Sequence, residues 1–351
     1  MLLGLDIGRQ YVKMVVLNKV KEGYKVLDAG YRLVPEPNQA FDPDKIDIHH
    51  WVMAIKELLR QQGLNPKKIK TLATGISGSS ASVKQITTME MPSEELDSAM
   101  TFEARKHIPM DGTDAVIDYQ IFGSNEKEVD KIDVGLVACT KGVLDTHLDL
   151  LKECGLKPGV IDVEPIAVTN MFTYLKDMPE DGSVVLLDIG ALSSSLVVWG
   201  SGTQYFTRDL PIGGHHFIKE VVSKKEMSYT DSQDLLFKDG LNSILNNDDK
   251  EDSSGLSVAE RSVFDNLVED IRRSLRFYAK QTGQSFFLKI FLTGGAASTP
   301  GLSDFISSKL NIECDNLNPF EGGEGADSLS VDNPGQYALA MGLGIRAGME
   351  K

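Results

Sequence analysis

The sequence has few cysteines, no excess of positive charge and no long apolar run. Its three cysteines form no CxxC pair and leave one over after any pairing, which favours reduced thiols in the cytosol. The net charge of −15 argues against a protein that binds nucleic-acid phosphates. No apolar run approaches the roughly 20 residues needed to cross a bilayer, and Met1 leads into a strand-like segment rather than a secretory leader. We therefore expect a cytoplasmic protein that reaches a membrane only through partners.

What the chain does contain is an ordinary globular composition. Its 351 residues are 41% hydrophobic and 25% charged. This length suggests two or more domains, each with enough chain to bury a core.

Two segments of the chain repeat one design. Residues 2–8 form an apolar run that ends in Asp6-Ile7-Gly8, and residues 184–190 form another that ends in Asp188-Ile189-Gly190. A β-rich stretch follows each of them. Each copy predicts a buried strand, a tight glycine turn and a second strand. The repeat therefore predicts two α/β halves of comparable size.

The residues at these two turns suit a phosphate chain. Glycine lets backbone N–H groups approach phosphate closely, so Gly8 and Gly190 are candidates to clamp it from opposite sides. Asp6 and Asp188 end their strands where they could hold waters of an octahedral Mg²⁺. Lys13, on the return strand, could reach β- and γ-phosphate oxygens.

A third glycine motif follows later in the chain. The strand-like residues 287–293 run into Gly294-Gly295-Ala296, a helix start that suits contact with a nucleotide. A single Asp-x-Gly is most often an ordinary β-turn. The prediction of a nucleotide site therefore rests on all three motifs in this order.

These residues, in this order, resemble the superfamily of sugar kinases, heat-shock chaperone ATPases and actins. The two Asp-Ile-Gly turns are similar to its phosphate motifs, and Thr293 to Ala296 to its adenosine motif. Glu164, in Glu-Pro-Ile-Ala, resembles the start of a connecting helix, where the family's glutamate orients the attacking water; an ordinary N-capping glutamate is the alternative. The resemblance implies an α/β, actin-like ATPase fold with two duplicated halves around a cleft that holds ATP and Mg²⁺.

Within that superfamily, the chain resembles the PilM family of type IV pilus assembly proteins, which are relatives of the cell-division protein FtsA. The resemblance rests on segments 102–109, 117–120, 208–214, 274–278, 292–295 and 318–320. It implies an ATP-binding cytoplasmic adaptor that holds the cytoplasmic N-terminal peptide of the inner-membrane protein PilN. Such an adaptor links the membrane platform to cytoplasmic ring and motor components. The peptide is expected to lie extended in a groove next to an inserted α+β subdomain.

The sequence departs from the family at some candidate contacts. Arg9 stands where the family usually has Ser or Thr, so one hydroxyl contact to phosphate is missing. Arg9 and the following Gln10 are still candidate contacts to the nucleotide. Ser193 supplies a hydroxyl near the second turn, but Ala191 and Leu192 make that phosphate loop less polar than in efficient ATPases, so we expect at most a slow ATPase. Lys238 resembles a lysine near the base and ribose, although a solvated helix lysine explains it equally well.

The predicted organisation assigns residues 1–82 and 158–183 to the first half, and residues 184–215 and 287–351 to the second. Residues 83–157 form the insertion, and residues 216–286 form a subdomain that closes the cleft. We also expect one helical stretch over residues 216–240, an acidic loop over residues 246–255 and a helix N-cap at Ser93.

Three other functions stay open. An FtsA-like filament or another homo-oligomer would share these motifs. A component of a type II secretion system that resembles GspL would normally continue into a transmembrane helix. A small-molecule kinase is least favoured, because no catalytic aspartate in a sugar-kinase-like loop is evident.

Overall fold

The structure, a computed structural model, describes residues 1–36, 39–77, 80–106, 114–125, 127–245 and 261–349. Its strands are β1 (Leu2–Ile7), β2 (Tyr11–Val20), β3 (Gly23–Leu33), β4 (Leu72–Ile76), β5 (Ala81–Met89), β6 (Ala115–Ser124), β7 (Lys131–Thr140), β8 (Val160–Val163), β9 (Ser183–Ile189), β10 (Ser194–Trp199), β11 (Phe206–Leu210), β12 (Phe287–Thr293) and β13 (Cys314–Asn316). Its helices are α1 (Ile48–Gln61), α2 (Ser93–Arg105), α3 (Lys141–Glu153), α4 (Glu164–Leu175), α5 (Gly214–Lys225), α6 (Tyr229–Asp239), α7 (Asn242–Leu245), α8 (Val263–Thr282), α9 (Leu302–Leu310) and α10 (Ala338–Met349). The predicted acidic loop and residues 107–109 of the family-like segment lie outside the described residues.

Two five-stranded sheets share one strand order. The first runs β3-β2-β1-β4-β8 and the second β11-β10-β9-β12-β13. In each, the strand that carries the Asp-Ile-Gly motif, β1 or β9, pairs antiparallel with the next strand in sequence and parallel with β4 or β12. The predicted fold of two duplicated α/β halves is therefore confirmed.

A smaller antiparallel sheet, in the order β5-β7-β6, follows β4 in the chain. Helix α2 covers one of its faces with Leu96, Met100 and Ala104. Helix α3, which follows β7, instead buries Leu150 and Leu151 in the core of the first large sheet. The boundaries given above for the insertion and the other subdomains remain a prediction.

An apolar layer joins the two halves. It combines side chains from both large sheets, such as Val15 and Leu186, with side chains from α4 and α10, such as Met171 and Met341. The two helices touch through their backbones. A Cβ added to Gly342 of α10 would lie 1.8 Å from the carbonyl oxygen of Ala167 in α4. Only glycine permits so close a crossing at this point.

The structure divides one expected helical stretch and corrects one expected helix cap. The helical stretch expected over residues 216–240 consists of two helices, α5 and α6, because Glu226 adopts the left-handed conformation with φ 53° and ends α5. Ser228 then caps α6 by accepting a hydrogen bond from the backbone N–H of Asp231. Ser93 is the first residue of α2, and Pro92 is the N-cap.

Within the part of the chain that the structure describes, no helix is both long enough and apolar enough to span a bilayer.

Candidate functional site

Asp6 and Lys13 form a buried ion pair at the end of the first large sheet. They face each other across β1 and β2, and Lys13 Nζ lies 2.8 Å from Asp6 Oδ2. Their side chains are only 8% and 14% exposed, respectively. The Gly8 turn lies next to the pair, since a Cβ at Gly8 would be 3.7 Å from Lys13 Nζ and 3.8 Å from Asp6 Oδ1. A ligand bound at this turn would therefore be near both charged groups.

Asp188 occupies the equivalent position in the second half, within a row of polar side chains. Strand register pairs it with Thr293 of β12 on one side and Ser195 of β10 on the other. Thr293 Oγ1 donates a hydrogen bond of 2.8 Å to Asp188 Oδ1. Asp188 and Ser195 are buried, and Ser195 Oγ has no hydrogen-bond partner among the described residues. Buried hydroxyls are normally paired, so this one is suited to a bound water or ligand.

Glu164 is the fourth charged residue at this site, after Asp6, Lys13 and Asp188, and it lies on the helix that packs between the two halves. It is the first residue of α4 and is followed by Pro165, which suits the first turn of a helix. Its carboxyl group lies close enough to act on both the carboxyl group of Asp188 and the ammonium group of Lys13. The site therefore holds a surplus of acidic groups.

The charges of this group shift one another's pKa values. Burial raises the pKa of Asp188 against the opposing effects of Thr293 and Lys13. Burial by itself would lower the pKa of Lys13, but the nearby carboxylates of Asp6, Asp188 and Glu164 outweigh it and raise that pKa. Lys13 is thus held in its charged form, and one ammonium group stands against three carboxyl groups. A further cation would relieve the imbalance.

The carboxyl groups of Asp6 and Asp188 suit a magnesium ion that retains its waters of hydration. Among the residues described, no group of three or more His, Cys, Asp or Glu side chains is arranged to hold a metal directly. Mg²⁺ typically retains several waters and binds through one or two carboxylates together with phosphate oxygens. Asp6 and Asp188, carried by the two halves, fit this mode of binding.

The glycine loops of the second half pack against one another beside this group. Ile189 O accepts a hydrogen bond from the Ala296 backbone N–H, and Ala191 O accepts one from His215. Gly294 has φ +91°, and a Cβ there would lie 2.4 Å from Ile189 O. The loop that contains Gly294, Gly295 and Ala296 is therefore held directly against the strand end that carries Asp188.

The other predicted contacts lie around these loops. Arg9 places its guanidinium carbon 5.6 Å from the centre of the Trp51 ring, and Gln10 Nε2 donates to Gln233 Oε1 of α6 at 3.4 Å. Ser193 O accepts a hydrogen bond from the Gly190 N–H. Lys238 lines a cavity with Asp239, Asn242, Ser243 and Pro300.

Comparison with known proteins identifies the family. The profile of the family described as type IV pilus assembly protein PilM matches residues 4–348. The chain belongs to the PilM family. A solved PilM–PilN type IV pilus biogenesis complex is similar to it, with a TM-score of 0.80, 22% identity and coverage of 99% of each chain.

Two further proteins are similar to this chain. The cell-division protein FtsA of Neisseria meningitidis serogroup B is 22% identical over 97% of this chain and 88% of its own length. The ethanolamine utilization protein EutJ of Carboxydothermus hydrogenoformans has a TM-score of 0.55 at 12% identity, with 98% of this chain and 88% of that one covered. These likenesses support the actin-like ATPase fold.

Two residues of the site's framework are not indicated by the sequence patterns. Thr293 belongs to a predicted motif, but the motif does not identify it as the partner of Asp188. Its position at the end of a parallel strand is the one sequence feature that could have indicated this contact. Trp51 Nε1 donates a hydrogen bond of 2.9 Å to Gly8 O and so fixes the first turn. Nothing in the sequence near Trp51 indicates that contact.

Proposed function

We propose that this chain is an ATP-binding adaptor of a type IV pilus machine that works in the cytoplasm at the inner membrane. It holds the cytoplasmic N-terminal peptide of a PilN-like protein and links the membrane platform to cytoplasmic ring and motor components. One observation carries the nucleotide part of the proposal: Asp6 and Lys13 of one half and Asp188 of the other converge with Glu164 in a single buried charge cluster.

In the proposed complex, each part of the site has one role. Bound Mg²⁺ would neutralise phosphate charge, with Asp6 and Asp188 holding its waters. Lys13 would bind phosphate oxygens, and Glu164 would orient the attacking water in any slow hydrolysis. The loops would supply backbone and side-chain contacts to the nucleotide through Gly8, Arg9, Gln10, Gly190, Ala191, Ser193, Gly294, Gly295 and Ala296. Lys238 is proposed for the ribose side.

The proposed peptide surface is the face of the three-stranded sheet that α2 leaves uncovered. Phe122 lies on this face against Gly135 and is 55% exposed, and Val116 is 39% exposed. Strand β6 is an edge of the sheet, with no strand on its outer side among the described residues. An unpaired strand edge beside apolar side chains suits an extended peptide, which can add main-chain hydrogen bonds. These features support a groove next to the insertion.

The nucleotide carried by the purified protein tests the first part. We expect ATP to remain bound over several hours with Mg²⁺ present. Steady conversion to ADP would instead indicate a working ATPase, with Glu164→Gln as the variant that should stop it. An empty protein that also refuses added ATP would overturn the nucleotide proposal. Sedimentation that depends on ATP would favour the FtsA-like filament alternative.

Calorimetric titration with the PilN N-terminal peptide of the same organism tests the second part. Phe122→Ala should weaken binding at least tenfold, since it removes the exposed ring from the proposed groove. Phe277→Ala is the matched control, because Phe277 is 52% exposed on α8 and outside the small sheet. No binding of the peptide at high micromolar concentration would overturn the adaptor proposal.

A further inference from the structure

Tyr205 touches three parts of the molecule at once. It precedes β11 in the second half and is only 8% exposed. Its backbone N–H donates a hydrogen bond of 2.7 Å to Gln85 Oε1 of β5, in the small sheet. Its hydroxyl lies 3.1 Å from Thr169 Oγ1 of α4. One buried residue thus joins the second half, the small sheet and the helix that carries Glu164.

The direction of the hydrogen bonds can be deduced. Thr169 Oγ1 donates its one hydrogen to Pro165 O, at 2.8 Å. A hydroxyl has a single hydrogen, so Tyr205 must be the donor in its bond with Thr169. The chain of donors thus runs from Tyr205 through Thr169 to Pro165, in the first turn of α4.

That first turn carries Glu164. The carbonyl group of Pro165 belongs to the residue that directly follows Glu164, whose carboxyl group acts on that of Asp188. A second contact, from Thr207 Oγ1 to Val83 O at 3.3 Å, ties β11 to β5 beside the first. The small sheet is therefore connected to the carboxyl cluster through a short series of buried and partly buried hydrogen bonds.

We propose that Tyr205 is a positioning residue, which fixes the first turn of α4, and hence Glu164, relative to the small sheet. The inference rests on the proposed function, because it couples the small sheet to the nucleotide that is proposed to bind in the cleft. A bound nucleotide fixes the second half relative to α4. Because Tyr205 contacts both α4 and Gln85, this also orders Gln85 and β5. A peptide bound on the small sheet acts on the cleft through the same contacts, since coupling between two sites is reciprocal.

The variant Tyr205→Phe removes the hydroxyl and keeps the ring. Its matched control is Tyr278→Phe. Tyr278 is also buried, and its hydroxyl donates to the carbonyl group of Gln204, next to Tyr205, at 3.1 Å, but it has no hydrogen bond to α4 or β5 among the described residues. Amide hydrogen exchange of residues 81–89, with and without Mg²⁺–ATP, is the measurement.

In the unmodified protein and in Tyr278→Phe, Mg²⁺–ATP should slow exchange in β5 at least threefold. In Tyr205→Phe that difference should fall by half or more, while ATP stays bound. A merely structural role would speed exchange equally with and without ATP. Equal ATP-dependent slowing in the two tyrosine variants would overturn the inference. If Tyr205→Phe does not fold, Gln85→Ala breaks the same connection at its other end and should give the same loss.

A protein that binds no Mg²⁺–ATP would overturn the proposed function without deciding the inference. In that case Tyr205→Phe and Glu164→Gln would be combined. Thermal unfolding midpoints that shift non-additively in the double variant would support the positioning role. Additive shifts would overturn it.

Discussion

Thr293 Oγ1 donates a hydrogen bond to Asp188 Oδ1 across the parallel strands β12 and β9, at 2.8 Å. This bond fixes the orientation of one buried carboxylate, while Lys13 and Glu164 act on it from the other half and from α4. Burial disfavours the ionised form of Asp188 and so lowers the stability of the nucleotide-free protein. A cation bound next to Asp188 would offset that loss.

Asp188→Asn should stabilise the nucleotide-free protein and weaken nucleotide binding. Burial disfavours the ionised aspartate, and asparagine keeps an oxygen for Thr293 without the charge. We expect the free energy of unfolding to rise and the affinity for Mg²⁺–ATP to fall at least tenfold. Urea denaturation and calorimetric titration measure the two effects. A less stable variant with unchanged affinity would contradict the assignment.

Asp6→Ala should destabilise the protein by leaving Lys13 as a buried cation without its nearest partner. Removal of one member of a buried pair typically costs about 3 to 5 kcal/mol. Adding Lys13→Met should recover much of that loss, whereas neither variant should retain Mg²⁺–ATP at wild-type affinity. The check is a double-mutant cycle of unfolding free energies, and additive losses would show that the pair does not interact.

Gly294→Ala and Gly295→Ala form a matched pair that differs in backbone geometry. Gly294 has a positive φ and no room for a Cβ against Ile189 O, whereas a Cβ at Gly295 meets no atom within 4 Å. Gly294→Ala should cost about 2 kcal/mol or more of stability and move the loop from the strand end. Gly295→Ala should fold normally. Equal stability of the two variants would argue against the described loop.

His147 should make stability depend on pH. Burial lowers its pKa from 6.5 to about 4, and its Nε2 lies 3.2 Å from Thr74 Oγ1. The unfolded chain therefore binds a proton between these pH values while the native protein does not. Stability should be complete above about pH 6.5 and fall as the pH drops towards 4, by up to roughly 3 kcal/mol.

His147→Gln should remove that part of the pH dependence between pH 6.5 and 4. His49→Gln, at an exposed position of α1, is the control. Denaturation curves at several pH values measure the difference, and a slope that survives in His147→Gln would assign it to other groups.

The sequence predicted the two central strands well because their motifs are local. An apolar run that ends in Asp-Ile-Gly specifies both a buried strand and its exit turn, so Asp6 and Asp188 can be matched from the residue pattern alone. The break between α5 and α6 is also encoded locally, by Ser228 with Asp231 three residues later, but the surrounding helical residues conceal it.

The remaining parts of the site depend on contacts between distant segments. Thr293 meets Asp188 only through parallel pairing, and Trp51 reaches Gly8 from a helix in another part of the chain. The Gln85–Tyr205 bond joins a strand of the small sheet to the residue that precedes β11. Single-sequence patterns carry periodicity and turn chemistry but not such pairings. These contacts are therefore visible only in the folded chain.

The crossing of α4 and α10 has a mechanical consequence. Backbones in contact at Gly342 and Ala167 leave no side chain between the two helices at this point, so we expect the helices to keep their relative position there. A methyl group at position 342 would meet the carbonyl oxygen of Ala167 and force α4 and α10 apart. Because these helices pack in the apolar layer between the halves, Gly342→Ala should also change how the two halves sit against each other.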